Sequence, residues 1–462
     1  MVFPTIMPAN SVSGGYEIDN SLRFNDGDSS KLTFTPDGAG DRDTFTFSFW
    51  IKRTTSGAAQ RIFSAGTSIG TNNNNVSSLL FESNDTLKFF GEVGQSASFT
   101  LQTNRLFRDP SAWYHIVVAV DTEDGTAANR IKLYVNGVQE SSFGTATYMG
   151  QNTDTFFNAA NLHNISYAGG GGFVDGYLAE FHHIDGTQVA PTEFGEFDDN
   201  GVWIPKAYDG SYGTNGFYLE FKETGTDTDA NGIGADTSGN DNHFAVTNLA
   251  ALDVMPDTPT NNWCTYNPLD LGQASSGPTF SQGNLTINTP TGYEDNVGST
   301  FGVSSGKWYW ETKIQSSTAR EAVGAKLVGT GLTGGASVVR YFSRYGTITL
   351  FGSLNNTGAT FGNNDVISMT LDLDDNVVKF FKNNVLQGTV NSVPAGTWVP
   401  AYCDASDQIG AQQATVNFGQ DGTFAGAETA QGNADANGLG NFKYAVPSGF
   451  FSICTKNLAE FG

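Results

Sequence analysis

Short segments in which aromatic and small polar residues alternate recur in this chain and restrict it to β-sheet architecture. Residues 44–51, TFTFSFWI, have a period of two, which places Phe and Trp on one face of a strand. Residues 131–135, IKLYV, end at Asn136-Gly137, a pair typical of a type I′ hairpin turn. With 13% aromatic residues and 56 glycines among 462 residues, the composition favours short strands joined by tight turns. We predict an all-β protein with helix in less than roughly one tenth of its residues.

Strand patterns fill two blocks of the sequence, and a stretch without this rhythm separates them. The 462 residues exceed the roughly 100–200 of one domain. The separating stretch is rich in Gly, Pro and polar residues, and we expect its apolar anchors to pack along the domains: Trp203, Phe217, Tyr218, Leu219, Phe221 and Trp263. The prediction is two β-sandwich (jelly-roll) domains joined by an irregular connector, divided into an N-terminal segment 1–20, a first sandwich 21–195, a connector 196–283 and a second sandwich 284–462.

The charge balance argues against two classes of partner. The chain has 23 basic and 47 acidic residues, a net charge of −24. Such a surface repels phosphate backbones and anionic lipid, so no nucleic acid is expected as a partner. No run approaches eighteen apolar residues, so no membrane insertion is expected. The first thirty residues lack the pattern of a signal peptide. Three cysteines cannot form a disulfide framework and are expected to be small buried side chains.

Two stretches match the G-x-S-x-G pattern of a nucleophile elbow, at residues 66–70 and 302–306. The elbow requires a strand-to-helix turn, with an acid and then a His after the Ser. The first match is followed by TNNNNV, which is not a helix, and every histidine of the chain precedes Ser304. Both matches are therefore predicted to be turns.

Other catalytic patterns are incomplete. The E-x-D-x-x-E pattern of one family of retaining glycosidases begins at Glu17 and Glu196 but lacks its last carboxylate in both places. The adjacent His182 and His183 would point to opposite faces of a strand and could not share a metal ion. We predict that the protein is not an enzyme.

A polar loop offers a candidate metal site. Residues 227–232, DTDANG, are similar to the first half of an oxygen-ligand loop, in which alternating acidic side chains converge on calcium and Gly permits the turn. An EF-hand would place Glu at the twelfth position, where Ser238 stands, and a second stretch, 433–438 (NADANG), also lacks that Glu. The alternatives are a solvated turn and weak, non-EF calcium binding by Asp227, Asp229 and Asn231. No other cofactor is expected.

The first block resembles the laminin-G-like/concanavalin A-like jelly roll. Its segments stand in the order of that fold: SLRFNDGDSSKLTF (21–34), FTFSFWIKR (45–53), WYHIVVAVD (113–121), IKLYVNGV (131–138) and GYLAEFHHIDG (176–186). The second block resembles the SPRY domain, a two-sheet sandwich, through GKWYWE (306–311), DVISMTLDL (365–373), FFKNN (380–384) and VNFG (416–419).

The combination of both blocks resembles structural proteins of marine tailed bacteriophages. DTSGNDNHF (236–244), DTPTNNWCTYNPLD (257–270) and FFSICTKNL (450–458) contribute to this resemblance. It implies a virion component made in the host cytoplasm: a tail fibre, spike or head fibre, which is usually homotrimeric and often binds a host-surface glycan. A non-adhesive capsid or tail decoration protein and a carbohydrate-active enzyme are the alternatives.

Two regions are candidates for contacts with partners. Val2, Phe3, Ile6 and Met7 lie among prolines, which predicts an extended N-terminal segment that attaches to other virion proteins or, alternatively, caps its own sandwich.

For a glycan, the candidate loops are 71–76, 152–173 and 339–345, because exposed aromatic rings stack on sugars and loop amides bind hydroxyl groups. The predicted ligand-binding residues are Phe157, Tyr341, Arg344 and Tyr345, the last three forming a cluster suited to an acidic or planar group. The alternative is that these rings pack under their own loops.

Overall fold

The computed structural model of the chain is described for residues 15–67, 69, 75–94, 96–167, 169, 172–271, 277–290, 296–328, 337–404 and 410–462. The chain divides into two units, Ser13–Thr260 and Asn261–Gly462, and each is built around two β-sheets. The described residues contain one α-helix, α1 (Thr455–Phe461), beside short 3₁₀ turns. The prediction of an all-β fold with two sandwiches is confirmed. Among these residues, no helix has the length and hydropathy needed to cross a bilayer.

The described strands of the first unit are β1 (Ser21–Phe24), β2 (Lys31–Phe34), β3 (Thr44–Arg53), β4 (Gln60–Gly66), β5 (Asn75–Phe81), β6 (Thr86–Val93), β7 (Ser96–Leu106), β8 (Trp113–Asp121), β9 (Ile131–Val135), β10 (Val138–Gln139), β11 (Phe143–Thr147), β12 (Leu162–Ile165), β13 (Gly176–Asp185), β14 (Gly195–Phe197), β15 (Trp203–Pro205), β16 (Phe217–Leu219), β17 (Ala245–Thr247) and β18 (Val254–Met255). Sheet I has the order β10-β9-β8-β3-β13-β1-β18, with β16 also paired to β13. Sheet II has the order β11-β7-β6-β5-β4-β12-β2-β17, and all the pairings are antiparallel.

The core of the first unit is a layer of interlocking aromatic rings. The period of two in β3 directs Phe45, Phe47 and Phe49 between the sheets, where all three are fully buried. The ring of Phe47 meets that of Phe63, from β4, edge to face at 5.2 Å. The outer face of sheet I is covered as well, by Phe194 and its neighbours along the chain. Strand β3 is therefore buried on both faces, although its sequence alternates.

A bulge interrupts β13 and resets its alternation. The register against β3 shifts between Ala179 and His182, and Glu180 has a φ of 52°. His183 lies in the core and its Nε2 is 2.6 Å from Asn158 Oδ1, whereas His182 lies on the outer face with Nδ1 2.9 Å from the Tyr212 hydroxyl. The prediction that these two histidines point to opposite faces is confirmed.

The predicted connector, residues 196–283, differs from the prediction. Up to Thr260 it belongs to the first unit and supplies β15 through β18, while its remaining residues belong to the second unit. Side chains order this Gly-rich stretch: the Asp236 carboxylate accepts hydrogen bonds from the backbone N–H groups of Tyr218 (2.8 Å), Ser238 (2.9 Å) and Asn242 (2.9 Å). Five of the six predicted anchors are buried, namely Trp203, Phe217, Leu219, Phe221 and Trp263.

The predicted hairpin turn at Asn136-Gly137 and a second turn at Asn383-Asn384 both use left-handed backbone. Asn136 and Gly137 have φ values of 48° and 75°, and Asn383 and Asn384 have values of 48° and 66°. A type I′ turn needs positive φ at both central positions, which Asn and Gly adopt more readily than other residues. The three cysteines are buried and unbridged, as expected.

The described strands of the second unit are β19 (Tyr266–Leu271), β20 (Thr279–Ser281), β21 (Thr286–Thr289), β22 (Asn296–Ser299), β23 (Lys307–Ser316), β24 (Glu321–Leu327), β25 (Val338–Phe342), β26 (Thr347–Leu350), β27 (Ser353–Thr357), β28 (Val366–Asp372), β29 (Val377–Lys382), β30 (Val385–Asn391), β31 (Trp398–Asp404) and β32 (Gln412–Asn417). Sheet III has the order β19-β22-β31-β24-β25-β26-β27, and sheet IV has the order β20-β21-β32-β23-β28-β29-β30. The last strands of the two sheets, β27 and β30, therefore lie on the same side of the sandwich.

Burial shifts the pKa of several side chains in the first unit, among them three histidines and one aspartate. It lowers the pKa of His115 and of His183 to about 3 and that of His163 to about 4. Burial also raises the pKa of Asp175 to about 7. The unfolded chain protonates the histidines near pH 6.5 while the folded chain does not, so their contribution to stability decreases as the pH falls from 6.5 toward 4. Asp175 acts with the opposite sign, because its stabilising contribution is lost as the pH rises from about 4 to 7.

We expect Asp175→Asn to steepen the loss of stability in acid. Asp175 is the only one of these four groups whose contribution to stability increases as the pH falls, and the variant lacks it. Between pH 5 and 6.5, the free energy of unfolding of the variant should therefore decrease with falling pH by about 1.4 kcal/mol more per pH unit than that of the wild type. Urea unfolding at pH 5.0, 6.0 and 7.0 measures this difference. The exposed Asp37→Asn serves as the matched control. Equal slopes in Asp175→Asn and the wild type would mean that Asp175 is not protonated in the folded chain.

Candidate functional site

The structure contradicts the prediction of Phe157 as a ligand contact. Its side chain is fully buried, with ring centroids 4.8 Å from Phe47 and 4.9 Å from Phe63. The segment after β11 places this aromatic ring between the sheets, where its burial is favourable. Phe157 is a core residue. The other candidate loop of this unit, 71–76, falls mostly outside the described residues.

Tyr341 is a second correction. It follows Val339 on the inward face of β25 and is fully buried, with its ring 4.8 Å from Phe361 and 5.8 Å from Phe380. Its hydroxyl donates to the carbonyl oxygen of Ala359, which satisfies the one polar atom that burial would otherwise penalise. Tyr341 therefore supports the surrounding loops from below and offers no surface to a ligand.

Arg344 and Tyr345, by contrast, form an exposed pair. Both lie in the turn between β25 and β26, where the chain leaves the sandwich. The Tyr345 side chain is 61% exposed, and the guanidinium carbon of Arg344 lies 4.9 Å from its ring centroid. This is the geometry of a cation–π contact, which keeps the positive charge close to an accessible aromatic face.

Two exposed apolar residues that the sequence analysis missed lie in a segment that is connected to this turn. Val385 and Leu386, at the start of β30, are 62% and 52% exposed. Gly358 links the two places: its N–H donates to the carbonyl of Gly346 (2.8 Å), and its Cα position abuts the side chain of Gln387. We call the set Arg344, Tyr345, Val385 and Leu386 the corner surface.

Two amide side chains link the segments next to the corner surface. Asn356 Nδ2 donates to the Thr389 carbonyl at 3.2 Å, and Gln387 Oε1 accepts from the Ala359 N–H at 2.8 Å. The first bond connects β27 with β30, and the second connects β30 with the segment that follows β27.

A carboxylate at this end of the sandwich is neutralised. Asp365 Oδ2 lies 3.1 Å from Lys382 Nζ, and Oδ1 accepts from Asn383 Nδ2 at 2.7 Å. Burial alone would raise the pKa of Asp365, but the N–H of Gly362, the Asn383 amide and the Lys382 ammonium together hold it below its usual value. The Asp365 carboxylate therefore has a structural role, since its charge is compensated within the sandwich.

The first loop considered for calcium is organised by contacts within the loop. Asp229 Oδ1 accepts from the N–H of Asn231 at 2.8 Å, and a side chain at Gly232 would collide with the carbonyl of Asp227. Within the described residues, no three His, Cys, Asp or Glu side chains are grouped as metal ligands. A calcium ion held by Asp227, Asp229 and Asn231 would therefore need carbonyl and amide oxygens as well.

In the second loop, both carboxylate oxygens of Asp435 already accept hydrogen bonds. Its Oδ1 accepts from the N–H groups of Asn437 (2.9 Å) and Leu439 (3.0 Å). Its Oδ2 accepts from the Ser452 N–H (2.9 Å) and from Asn457 Nδ2 (2.8 Å). A cation would have to displace these donors, so this carboxylate is explained as a buried anchor of the C-terminal segment.

Weak calcium binding at the first loop stays a prediction, and calorimetric titration tests it. If the loop binds, calcium should release heat and raise the melting temperature, and Asp229→Asn should weaken both effects several-fold because it removes a ligand charge. Asp435→Asn is the comparison for binding at the other loop. The absence of heat and of a melting shift in the wild type would contradict the prediction.

The incomplete catalytic patterns lie in different local structures: Glu196 is part of β14, whereas the second G-x-S-x-G match lies in a bend. Ser304 is exposed in a bend before β23, and Asp198 Oδ1 accepts from the N–H groups of Asn200 (2.9 Å) and Val202 (2.7 Å) within a turn. Ser68 of the other G-x-S-x-G match falls outside the described residues. The turn prediction for residues 302–306 is confirmed.

Comparisons with known proteins agree with this architecture. Residues 26–192 match the family model Laminin_G_3, described as the concanavalin A-like lectin/glucanases superfamily. This supports the laminin-G-like resemblance for the first block. The sequence matches no curated protein.

Similar solved structures include SPRY domains and a pentraxin. The SPRY domain of human HERC1 is 18% identical, with 33% of this chain and 96% of that chain covered and a TM-score of 0.29. A human SPRY domain is 15% identical (29% and 90% covered, TM-score 0.24). The heptameric SAP-like pentraxin of Limulus polyphemus is 21% identical (38% and 80% covered, TM-score 0.27).

Because the predicted site residues differ in burial, their substitution by alanine should destabilise the protein to different extents. Tyr341→Ala and Phe157→Ala should each lower the free energy of unfolding by about 3–5 kcal/mol, because each leaves a cavity in a core. Tyr345→Ala should change it by less than about 0.5 kcal/mol, because its ring is exposed. Urea unfolding of the three variants measures these values. A cost for Tyr345→Ala as large as that for Tyr341→Ala would show that the Tyr345 ring belongs to the core.

Proposed function

We propose that this chain is a non-catalytic binding protein and that the corner surface is its ligand-binding site. The observation that carries the proposal is an aromatic ring, Tyr345, that stays 61% exposed beside the guanidinium of Arg344. The turn that presents them is fixed through Gly346 and Gly358. A ligand can therefore contact these side chains without a costly rearrangement of the backbone.

The setting that we propose is the virion of a tailed bacteriophage, where the chain forms a fibre or spike that adheres to a glycan on the host surface. Support comes from the order of laminin-G-like and SPRY-like segments along the sequence, which resembles virion proteins of marine phages. The match of residues 26–192 to a superfamily of lectins and glucanases is compatible with a carbohydrate ligand. We further propose a homotrimer, as in the fibres that the chain resembles.

The N-terminal segment, residues 1–20, is the proposed attachment to other virion proteins. Residues 1–14 lie outside the described part, but the residues that follow are anchored to the first unit. The Tyr16 hydroxyl donates to the Glu180 carboxylate at 2.9 Å, and the Thr260 hydroxyl bonds both the N–H (3.1 Å) and the carbonyl (2.8 Å) of Ile18. A segment held by a partner would therefore pull on the first sandwich directly.

Immunoelectron microscopy of virions of the phage that encodes this chain tests the proposal. An antibody against the second unit should label the distal ends of fibres, and the purified chain should compete with virions for adsorption to host cells. Deleting residues 1–12 should abolish incorporation into virions while leaving the melting temperature unchanged.

Other labelling patterns would decide against adhesion. Label spread over the whole shell would indicate a decoration protein, and unlabelled virions would contradict a virion role. A fall in melting temperature after the deletion would mean that the segment caps its own sandwich.

A further inference from the structure

Strands β5, β4 and β12 lie side by side in sheet II, and the sequence gives this part of the sheet no carboxylate. Residues 44–81 and 155–174, which include the three strands, contain no Asp or Glu. Side chains on the outer face of these strands, away from the core, therefore have no acidic partner on their own strands.

A row of small polar side chains crosses this outer face. Asn164 on β12 lies opposite Ser64 on β4, which lies opposite Ser78 on β5, and opposed residues point to the same face. Their neighbours Phe63 and Leu79 point into the core, so the row lies on the other face of the sheet. Ser64 Oγ and Ser78 Oγ are 2.7 Å apart, and all three polar side chains are buried.

In the described part of the chain, the buried amide of Asn164 has no hydrogen-bond partner. The side chain is 1% exposed, and neither Oδ1 nor Nδ2 is bonded. Buried polar atoms are nearly always bonded, because an unpaired donor or acceptor loses its hydration without compensation. An amide left unpaired beside two hydroxyl groups indicates a place where another molecule binds.

The side chain of Arg61, a half-buried cation on β4, reaches this row. Its Nη1 donates to Ser78 Oγ at 3.4 Å, and its Cζ lies 5.6 Å from the ring centroid of Phe90. Both contacts are long and therefore weak. Burial lowers the pKa of Arg61, so the guanidinium is partly withdrawn from water without a strong partner in exchange.

Carboxylates on the neighbouring strands do not pair with Arg61 within the described residues. Glu82 and Glu92 act on its charge only from a distance. Glu82 Oε1 is paired instead with Lys88 Nζ at 2.9 Å. Arg61 and Glu92 face positions of β5 that are four residues apart, about 13 Å along the strand. A partly desolvated cation without a carboxylate partner favours an anionic ligand.

Two half-exposed aromatic rings lie beside Arg61, at the end of the candidate loop 152–173. The Arg61 N–H donates to the Gly172 carbonyl at 2.6 Å, which brings the next residue, Phe173, close to β4. The Phe173 ring stacks on that of Tyr167, with centroids 5.1 Å apart and planes at 21°. Lys31 Nζ lies 4.7 Å from the Tyr167 centroid. The two rings form an apolar wall that solvent reaches.

We propose that Arg61, Asn164, Tyr167 and Phe173 form a second binding site, separate from the corner surface, for the uronic acid units of an acidic polysaccharide. We call this set the sheet II site. The planar guanidinium of Arg61 offers paired donors that match a carboxylate. Asn164 offers donors and an acceptor, and the acceptor needs a hydroxyl group, which a sugar supplies. The aromatic wall can contact the C–H face of the sugar ring.

Other ligands would satisfy only part of the sheet II site. Sulfate carries acceptors but no donor, so it would leave Asn164 Oδ1 unpaired. A neutral sugar brings no charge for Arg61. An extended peptide often binds along a free strand edge, whereas β4 and β12 are each paired on both sides.

Matched ligands test both requirements, the charge and the hydroxyl groups. Trigalacturonic acid and its methyl ester differ in the charge of their carboxyl groups, and sodium sulfate carries charge without hydroxyl groups. We expect the full chain to bind trigalacturonate at least about tenfold more tightly than the ester or sulfate in calorimetry at about 150 mM NaCl, and more weakly as the salt concentration increases. Bound trigalacturonate should also raise the melting temperature.

Variants of two residues place the binding on the sheet II site. Arg61→Gln should weaken trigalacturonate binding about tenfold, and Arg61→Lys, which keeps the charge but not the planar fork, about threefold. Asn164→Leu should weaken binding about fivefold without lowering the melting temperature, because an apolar group of similar shape replaces an unpaired amide. A merely structural role of Asn164 would instead lower the melting temperature.

Two control variants accompany these. Lys88→Gln removes a cation from the same outer face, opposite the same residue of β5 as Arg61, but from a side chain already paired with Glu82. Tyr345→Ala alters the corner surface. Both controls should bind trigalacturonate as the wild type does, and all variants should remain folded by circular dichroism.

Several results would overturn the inference. Equal binding of trigalacturonate and its ester would refute the anionic class, and sulfate binding as tightly as trigalacturonate would indicate an anion site that does not recognise sugar. Equal losses in Lys88→Gln and Arg61→Gln would show diffuse attraction, and poly-L-glutamate binding as tightly would indicate an acidic protein. Loss of binding in Tyr345→Ala but not in Arg61→Gln would place the uronate on the corner surface, which would leave the proposed binding function standing and refute the sheet II site.

Discussion

A buried ion pair between Lys52 and Asp257 holds the end of the first unit on sheet I. Lys52 Nζ lies 2.8 Å from Asp257 Oδ2 with both side chains fully buried, and Trp113 Nε1 donates to Oδ1 at 3.2 Å. Removing either charge would leave the other buried without compensation, at a cost of about 3–5 kcal/mol. The segment that carries Asp257 must therefore stay on sheet I, and the Ser21 hydroxyl bonds its carbonyl at 2.6 Å. The strands between residues 203 and 255 are enclosed within the unit that this pair closes.

The sequence predicted the sheets better than the connector, because the connector is held by contacts between residues that are distant in sequence. The alternation of 44–51 and the Asn136-Gly137 turn are local patterns, and local sterics fix their structure. The stretch 222–242 has no such pattern, because its order comes from single carboxylates, such as that of Asp236, that bond distant backbone groups. Interactions of this kind depend on the tertiary fold, which no short window of sequence records. The burial of anchors such as Phe217 was predictable, whereas their pairing with β13 was not.

The candidate site shows the same difference between what strand alternation predicts and what depends on the tertiary fold. Tyr341 and Tyr345 are four residues apart in the sequence. The first is buried and the second is exposed, because β25 ends at Phe342 and the turn begins there. With the end of β25 known, the alternation would have predicted a buried Tyr341, because Val339 and Tyr341 lie on the same face of the strand. Val385 and Leu386 had no signal at all. They begin β30, the last strand of sheet IV, and that position depends on the tertiary fold rather than on the local sequence.

The exposure of the corner surface limits how tightly one copy can hold a ligand. Its apolar side chains remain more than half exposed, so a bound sugar would stay partly in water, and each contact would contribute modestly. A polysaccharide repeats its binding unit, however, and a trimer would present three corners. Linking such contacts can increase the overall affinity about 10²–10⁴-fold without any new interaction, provided that the spacing allows simultaneous engagement. The proposed oligomer and the proposed adhesion therefore depend on each other: weak, exposed sites are useful for attachment only when several act together.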